Sequence, residues 1–593
     1  MVVTATRVAQ PKTTVSARVE VIKAEEIRKS GARTLAELLS QQGGVDVRSY
    51  GAVGAVSAPS LRGSAAGQVL VMVDGRRLNS PLGEGVDLGD ISLTGVQRVE
   101  ILHGGASSLY GSDAIGGVIN IITNPATGPT ETRTLQSLGA FGLRSWSLGR
   151  TETLKPLSYT FSLQRLVADN DFGYRGTSGA ERSRVNADYR QTAIRLRLTP
   201  KLSLPGKLDL SGEWSDSFRG VPGIIQSPSL KARQRDRTRV LDLAYRGEEG
   251  RDGGYNGRVY YQQTARRYDD PKSFPAPTHT TQDVDTLGVE LLGRRRFSAG
   301  QSLTVGLESR TESLSSNAVG KRDRKVHALY GQHQATFGAW TLLPALRLDV
   351  TEGFSPRLSP HLGVIRRLGG DLELKANAGG SFRTPGLNDL YWPADPYSLG
   401  NPKLSPESAS TYDLGLTYTR GPLNAGVSVF RTVIRDLIVW TPGALVPGKW
   451  SPINVGKSET QGIEMDAGTK LGRLSTRASL TFLDPRDHSG QRNADGRFLI
   501  FRPLSQGRLN LDYDAGPWGA AADFTFTGRR YITPDNLRHL GSFTTTDLRL
   551  RHALGRTVAL ELQVLNLWDK RYELQPGYPM PGREWRIRLT ELW

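Results

Sequence analysis

The chain is 593 residues long, carries a formal charge of +18 and has a mean hydropathy of -0.37, with 67 Gly and no Cys. Without cysteine it has neither a disulfide framework nor a thiolate metal site. No run of about 18 apolar residues occurs, which excludes membrane-spanning helices and leaves membrane-spanning strands open.

The opening Met1-Val2-Val3-Thr4-Ala5-Thr6-Arg7 has no basic-then-apolar leader, as expected of a mature exported form behind a cloned Met1. Val2 to Thr6 is uncharged and β-prone, a segment suited to joining a partner's sheet as an added strand. Val19 to Ile22 predicts a short strand, and Ala24 to Lys29 a helix closed at Gly31. Thr34 opens a second helix, with Glu37 three residues on as a capping box and Gly43-Gly44 as its stop. The Gly-rich stretch Ser49 to Pro59 and the stretch Pro81 to Asp90 read as loops. Between them, the apolar run Val69 to Val73, the turn pair Asp74-Gly75 and then Arg76-Arg77-Leu78 predict a hairpin. Val96 to Leu102 and Val118 to Ile122 add strands to what reads as a small mixed domain.

From about residue 130 apolar and polar residues alternate one for one. Leu208, Leu210 and Trp214 interleave with Lys207, Asp209, Ser211 and Glu213; Val558, Leu560, Leu562 and Val564 interleave with Ala559, Glu561 and Gln563. Side chains on a strand alternate faces, so each segment has one oily and one wet side. Many such segments in one chain are satisfied together by a closed barrel with lipid outside and a polar lumen. A barrel of about 22 strands allows roughly 21 residues per strand and turn, enough for short turns at one end and long loops at the other. The candidate long loops are Asp169 to Tyr189, Arg219 to Arg239, Tyr268 to Asp285, Pro393 to Pro406 and Ile532 to Phe543.

The positive charge does not read as a nucleic-acid surface. Arginines are dispersed along strands, as in Ile194-Arg195-Leu196-Arg197-Leu198, so a basic lumen and rim attracting anionic ligands or lipid phosphates is expected. Catalysis finds no constellation. The eight His stand as singletons, and Asp169-Asn170-Asp171 opens like a calcium loop whose twelfth position is Ala180. An outer-membrane barrel enzyme is therefore a distant alternative, and no catalytic or metal-binding residue is assigned.

Several motifs resemble, in order, those of the TonB-dependent outer-membrane receptors. They are Val2 to Thr6, Leu61-Arg62-Gly63, Val69 to Gly75 with Leu78-Asn79, Val96 to Glu100, and Tyr110-Gly111-Ser112-Asp113 running to Thr123. Further on come Ser381 to Pro385, Gly400-Asn401-Pro402, Tyr412 to Gly415, Gly462-Ile463-Glu464 and Asn566 to Tyr572. Within the family the similarity is greatest to cobalamin receptors. The resemblance implies an all-β membrane protein, with an N-terminal plug inside an antiparallel barrel of about 22 strands. It divides the chain into a TonB box at 1-7, a plug at 8-126 and a barrel at 127-593.

The function implied is TonB-dependent import of cobalamin across the outer membrane, with a ferric siderophore or other metal chelate as the alternative cargo. The implied partners are TonB at Val2, Val3, Thr4, Ala5 and Thr6, outer-membrane lipid, and the barrel-insertion machinery at the terminal aromatic, here Trp593 where the family usually has Phe. A monomer that binds no nucleic acid is expected. Val56, Ala58, Ala65, Gly83 and Glu84 fall at the family's cobalamin contacts, and Tyr50 and Leu82 offer apolar surface beside them. Neither apical loop contains the His a haem ligand needs. Arg62 and Arg98 are expected to latch the plug to Asp413 and Glu464 on the wall. No cofactor is required. The family's calcium site is not carried over, because Asn186 and Asp188 lie among Arg182, Arg184, Lys231, Arg233 and Arg235.

Overall fold

A computed structural model of the chain describes residues 2–3, 7–8, 10–203, 205–247, 250, 253–274 and 276–593. Its outer layer is a closed antiparallel barrel of 22 strands. The barrel is sealed where Glu131–Gly139 pairs with Glu584–Leu592, in a register running from Arg133 opposite Leu592 to Gly139 opposite Arg586. Closure leaves no barrel strand with an unpaired edge, which a lipid surround demands.

Alternation sets which way each strand faces. On Trp340–Thr351, Leu346, Leu348 and Val350 are 41–49% exposed on the outside, while Arg347 and Asp349 are fully buried on the inside. Arg347 contacts Asp349 at 2.9 Å and Glu308 of Gln301–Ser316 at 3.0 Å, so the charges inside the wall arrive paired. Short turns mark one end of the barrel and long loops the other. The chain enters the first strand from the short-turn end.

The plug fills the lumen. Its sheet has five strands in the order Val19–Lys23, Val96–His103, Gly117–Thr123, Val69–Val73 and Arg76–Arg77. Val69–Val73 runs parallel to Gly117–Thr123 and the other pairings are antiparallel. Asp74 and Gly75 both adopt positive φ, 51° and 90°, the geometry that a tight two-residue hairpin turn needs. Helix Ala24–Ser30 ends at Gly31 with φ 71°. Helix Leu35–Ser40 starts with the Thr34 hydroxyl accepting the Glu37 N–H at 3.4 Å. The Glu37 carboxylate accepts the N–H of Arg33 at 2.8 Å, one residue earlier than a capping box would place it.

The plug has one apolar cluster of its own and a second that it shares with Tyr330 and Ala345 of the wall. Leu35, Leu38, Val45, Val71, Val99 and Ile119 are fully buried within one apolar cluster that contains no barrel residue.

Three readings of the loops change. Ser57–Leu61 is a strand paired with Val45–Ser49, so the apical loop is only Tyr50 to Val56, and Ala58 sits opposite Arg48 in the hairpin. Lys207–Gly220 and Arg233–Arg246 extend far up the wall, shrinking the loop between them to residues 221–232. Gly253–Asp270 and Thr278–Ser298 do the same for the loop between them. Each of these segments is rich in charged or small polar residues, which at the sequence level resembles a loop.

Candidate functional site: the plug apex and the plug-to-wall seam

Two surfaces of the plug face groups that bear on function: the apex at the long-loop end and the flank against the wall. At the apex, Tyr50 is 37% exposed and meets Tyr578 edge-on with ring centroids 4.9 Å apart. Val56, at 36% exposed, stands at the end of the same loop. The loop is braced from below, where Tyr189 lies against Gly54 and the Asn170 amide donates to the Val53 carbonyl at 2.9 Å. A side chain at position 54 would collide with the Tyr189 ring, and φ there is 76°. Ala65 is half-buried beside the short turn Ala66–Gln68, its N–H donating to Gln68 Oε1 at 2.8 Å.

The second apical loop is bound more tightly than its sequence suggests. Leu82 is only 6% exposed and packs with Val284, Leu314, Val319 and Leu387. It is thus core under the helix Leu387–Tyr391 and offers no open apolar surface. Gly83 has φ 90°, and a Cβ there would sit 2.7 Å from the Gly386 Cα; its carbonyl accepts from Arg383 at 3.0 Å. Glu84 pairs with Arg266 and accepts the Asn388 amide at 2.8 Å. Below this loop lies a small polar cavity of about 20 Å³, lined by Arg77, Asp113, Arg310, Glu312, Arg324 and Arg383 among others. Such a charged lining suits water better than an apolar guest.

On the flank, Leu61-Arg62-Gly63 turns with φ 51° at Arg62 and 76° at Gly63, aiming the guanidinium at the wall. Arg62 contacts Asp413 at 2.5 Å and Glu464 at 2.9 Å, and lies 4.3 Å from the centre of the Phe430 ring. The Arg62 side chain is 3% exposed and that of Glu464 is 0%. The two carboxylates raise the affinity of Arg62 for its proton despite burial. Arg98 does not join them. Its Nε donates to Glu100 at 2.7 Å and its Nη1 to Gln97 at 2.8 Å, both on its own strand. The positions near Glu464 are taken instead by Arg18, 3.5 Å away, and by His103, whose Nδ1 is 3.4 Å away.

The seam continues as polar pairs. Asp74 meets Arg197 at 2.5 Å, Arg76 meets Glu213 at 3.1 Å, and Glu37 meets Arg586 at 3.3 Å. Asp87 contacts Arg219 at 2.7 Å, and Asp90 contacts the same guanidinium. Arg18, His103, Arg219 and Arg266 escaped the sequence reading. Inward parity on their strands was available for the last two, but parity alone names no partner.

At the N-terminus, Val2–Val3 pairs antiparallel with Gln10–Pro11. Thr4, Ala5 and Thr6 lie outside the described residues. Arg7 enters the barrel, its guanidinium 4.6 Å from the Tyr110 ring centre and 3.4 Å from Glu308.

A lipid-facing barrel whose lumen is closed by a separately folded, polar-seamed plug defines the class of outer-membrane receptors that must be worked to open. The chain belongs to the TonB-dependent receptors: residues 113–567 match the family described as "TonB dependent receptor-like, beta-barrel" and residues 11–118 match "TonB-dependent Receptor Plug Domain". It is therefore an outer-membrane protein of a family of transporters and receptors. It is 28% identical to the vitamin B12 transporter BtuB of Photobacterium profundum over 603 aligned residues, covering 100% of this chain and 95% of that one. Its fold resembles the siderophore receptor PirA from Acinetobacter baumannii, with TM-score 0.83, 18% identity and coverage of 98% and 99%. It equally resembles the copper transporter OprC, with TM-score 0.84, 19% identity and coverage of 98% and 100%. At these identities the two structures speak to fold alone.

Proposed function

We propose that the protein imports cobalamin across the outer membrane, driven by TonB acting on the N-terminal segment. The observation that carries the cargo is the similarity to a vitamin B12 transporter along 100% of the chain. The apex is compatible with it. Tyr50, Val56 and Tyr578 present a largely uncharged platform, suited to a bulky ligand held by shape and amide contacts. Tyr50, Val56 and Ala65 are the proposed contacts; Leu82, Gly83 and Ala58 shape the loops that carry them.

In this reading ligand settles on the apex, and TonB captures the Val2 to Thr6 segment by strand addition. Traction then breaks the seam, and Arg62 with Asp413 and Glu464 is the latch it must release.

An anionic ferric siderophore is the second reading, favoured by the arginine-rich sequence between Arg182 and Arg239. Arg233, Arg235, Arg237 and Arg239 share the strand face of the lipid-exposed Leu241 and Leu243, which weakens that argument.

Titration of the detergent-solubilised protein with cyanocobalamin and with a panel of ferric siderophores tests the cargo. Saturable binding of cyanocobalamin, weakened about tenfold or more by Tyr50→Ala, is expected, a loss of roughly 1.4 kcal/mol. Binding of a siderophore without cyanocobalamin would replace it with the second reading.

A further inference from the structure

The arginines that the sequence places in an outer loop form a patch on the outside of the wall. Along Arg233–Arg246 the buried residues are Val240 and Asp242, while Leu241 and Leu243 are 64% and 43% exposed. Parity therefore turns Arg233, Arg235, Arg237 and Arg239 outward, directly above that oily band and at the long-loop end of the barrel. The neighbouring strands extend the patch. Arg190 lies opposite Phe218 and Phe218 opposite Arg235, in one row across three strands. Arg235 in turn faces Arg267. One row lower, Arg165 stands across from Thr192, to which it donates at 2.7 Å.

Counter-charge on this surface is incomplete. Asp216 serves both Arg235, at 2.6 Å, and Arg237, at 3.2 Å; Asp188 meets Arg233 at 2.5 Å, and Asp283 meets Arg267 at 2.7 Å. Arg165, Arg190 and Arg239 have no carboxylate partner among the described residues. Arg190 instead lies over the Phe218 ring, 4.5 Å from its centre, and Arg239 donates to Gln263 at 3.2 Å. Even the paired side chains of Arg235 and Arg237 remain 43% and 42% exposed. Two other outward arginines of the wall do have carboxylates, Arg431 at Glu459, which also serves Lys457, and Arg486 at Asp484.

Rows of guanidinium forks with free donors, spaced about 4.8 Å apart across strands, suit multivalent oxyanions. Their height, where the apolar band gives way to the outer loops, is that of lipid headgroups in the outer leaflet. We propose that this face is a docking site for a phosphorylated glycolipid of the outer leaflet, the phosphates held by Arg190, Arg235 and Arg239 and the acyl chains lying along Leu241 and Leu243. The site is separate from the apex and does not depend on the cargo.

The test uses the full chain in phosphatidylcholine nanodiscs, with bisphosphorylated lipid A as probe and its dephosphorylated form as comparison. Saturable binding of the bisphosphorylated lipid is expected, at least tenfold weaker for the dephosphorylated one and weakening with added salt. The triple variant Arg190→Ala, Arg235→Ala, Arg239→Ala should lose binding to the same degree. Arg431→Ala with Arg486→Ala should not, and cyanocobalamin binding should be unchanged in both. Equal binding of the two lipids by the unmodified protein overturns the proposal, a comparison that needs no variant to fold. So does full retention by a triple variant whose heat-modifiable gel migration shows an intact barrel. Displacement by inorganic phosphate at equal concentration would likewise overturn it, by assigning the patch to the free ion.

Discussion

Arg62 is the side chain whose removal should be felt most. It is buried between two wall carboxylates, and deleting one partner of a buried pair strands the others at a cost of about 3–5 kcal/mol. Arg62→Ala should therefore lower the urea midpoint of the plug, read from a fluorophore placed on it. Arg98→Ala should lower that midpoint less, because its pair with Glu100 lies within one plug strand and does not join plug to wall. Equal effects of the two substitutions would remove Arg62 from the latch. Acid should act on the same seam. Burial alone would raise the Glu37 and Asp74 carboxyls, but Arg33 and Arg586 around Glu37, and Arg197 with Thr123 around Asp74, hold each at about 2. Both lie below the ordinary 4.5 and 3.8, so their contribution to stability is complete above that range and is lost as pH falls from about 4.5 toward 2. The plug's urea midpoint should fall through this window, less steeply in Glu37→Gln.

The N-terminal segment joins two requirements that conflict: it must be held at rest and yet be available for capture. Its strand Val2–Val3 is paired with Gln10–Pro11, and Arg7 is anchored among Tyr110, Glu290 and Glu308. Val3→Pro removes a backbone donor and should abolish energised uptake while leaving ligand binding intact; retained uptake would refute the coupling role. Arg7→Ala should speed proteolytic clipping of the N-terminus without ligand, and an unchanged rate would show that Arg7 does not hold the segment. Most elements could be read from periodicity because both sides of the pattern were strong. The Val69 to Arg77 hairpin has an apolar run and an Asp-Gly turn, and Leu346 to Thr351 alternates apolar with polar residue by residue. Arg233 to Arg239 misled because a lipid-facing rim is rich in charge, as a loop is. Leu82 misled because what covers it, Leu387 and Val319, lies more than two hundred residues away in sequence. The partner of Arg98 was misassigned for a local reason: Glu100, two residues on, shares its strand face and wins by proximity.

Taken whole, the molecule contains two bodies stabilised by different forces. The wall is closed on itself by backbone pairing and wetted by lipid, whereas the plug has its own apolar core and meets the wall through charged and polar pairs and a few small apolar clusters, as at Leu82 and Ile115. Urea competes well with surface polar contacts and poorly with a closed ladder of strands. Urea should thus raise conductance in planar bilayers before strand content falls by circular dichroism; simultaneous loss of both would mean that the two bodies unfold as one.

Because the contacts from Arg7 through Glu37 to Arg76 are strung along the chain, a tug applied at one end loads them in succession. The peak force is then that of the stoutest single tether, and water can replace each tether as it parts. A motor of modest strength can therefore open a passage that the same number of contacts, broken all at once, would keep shut.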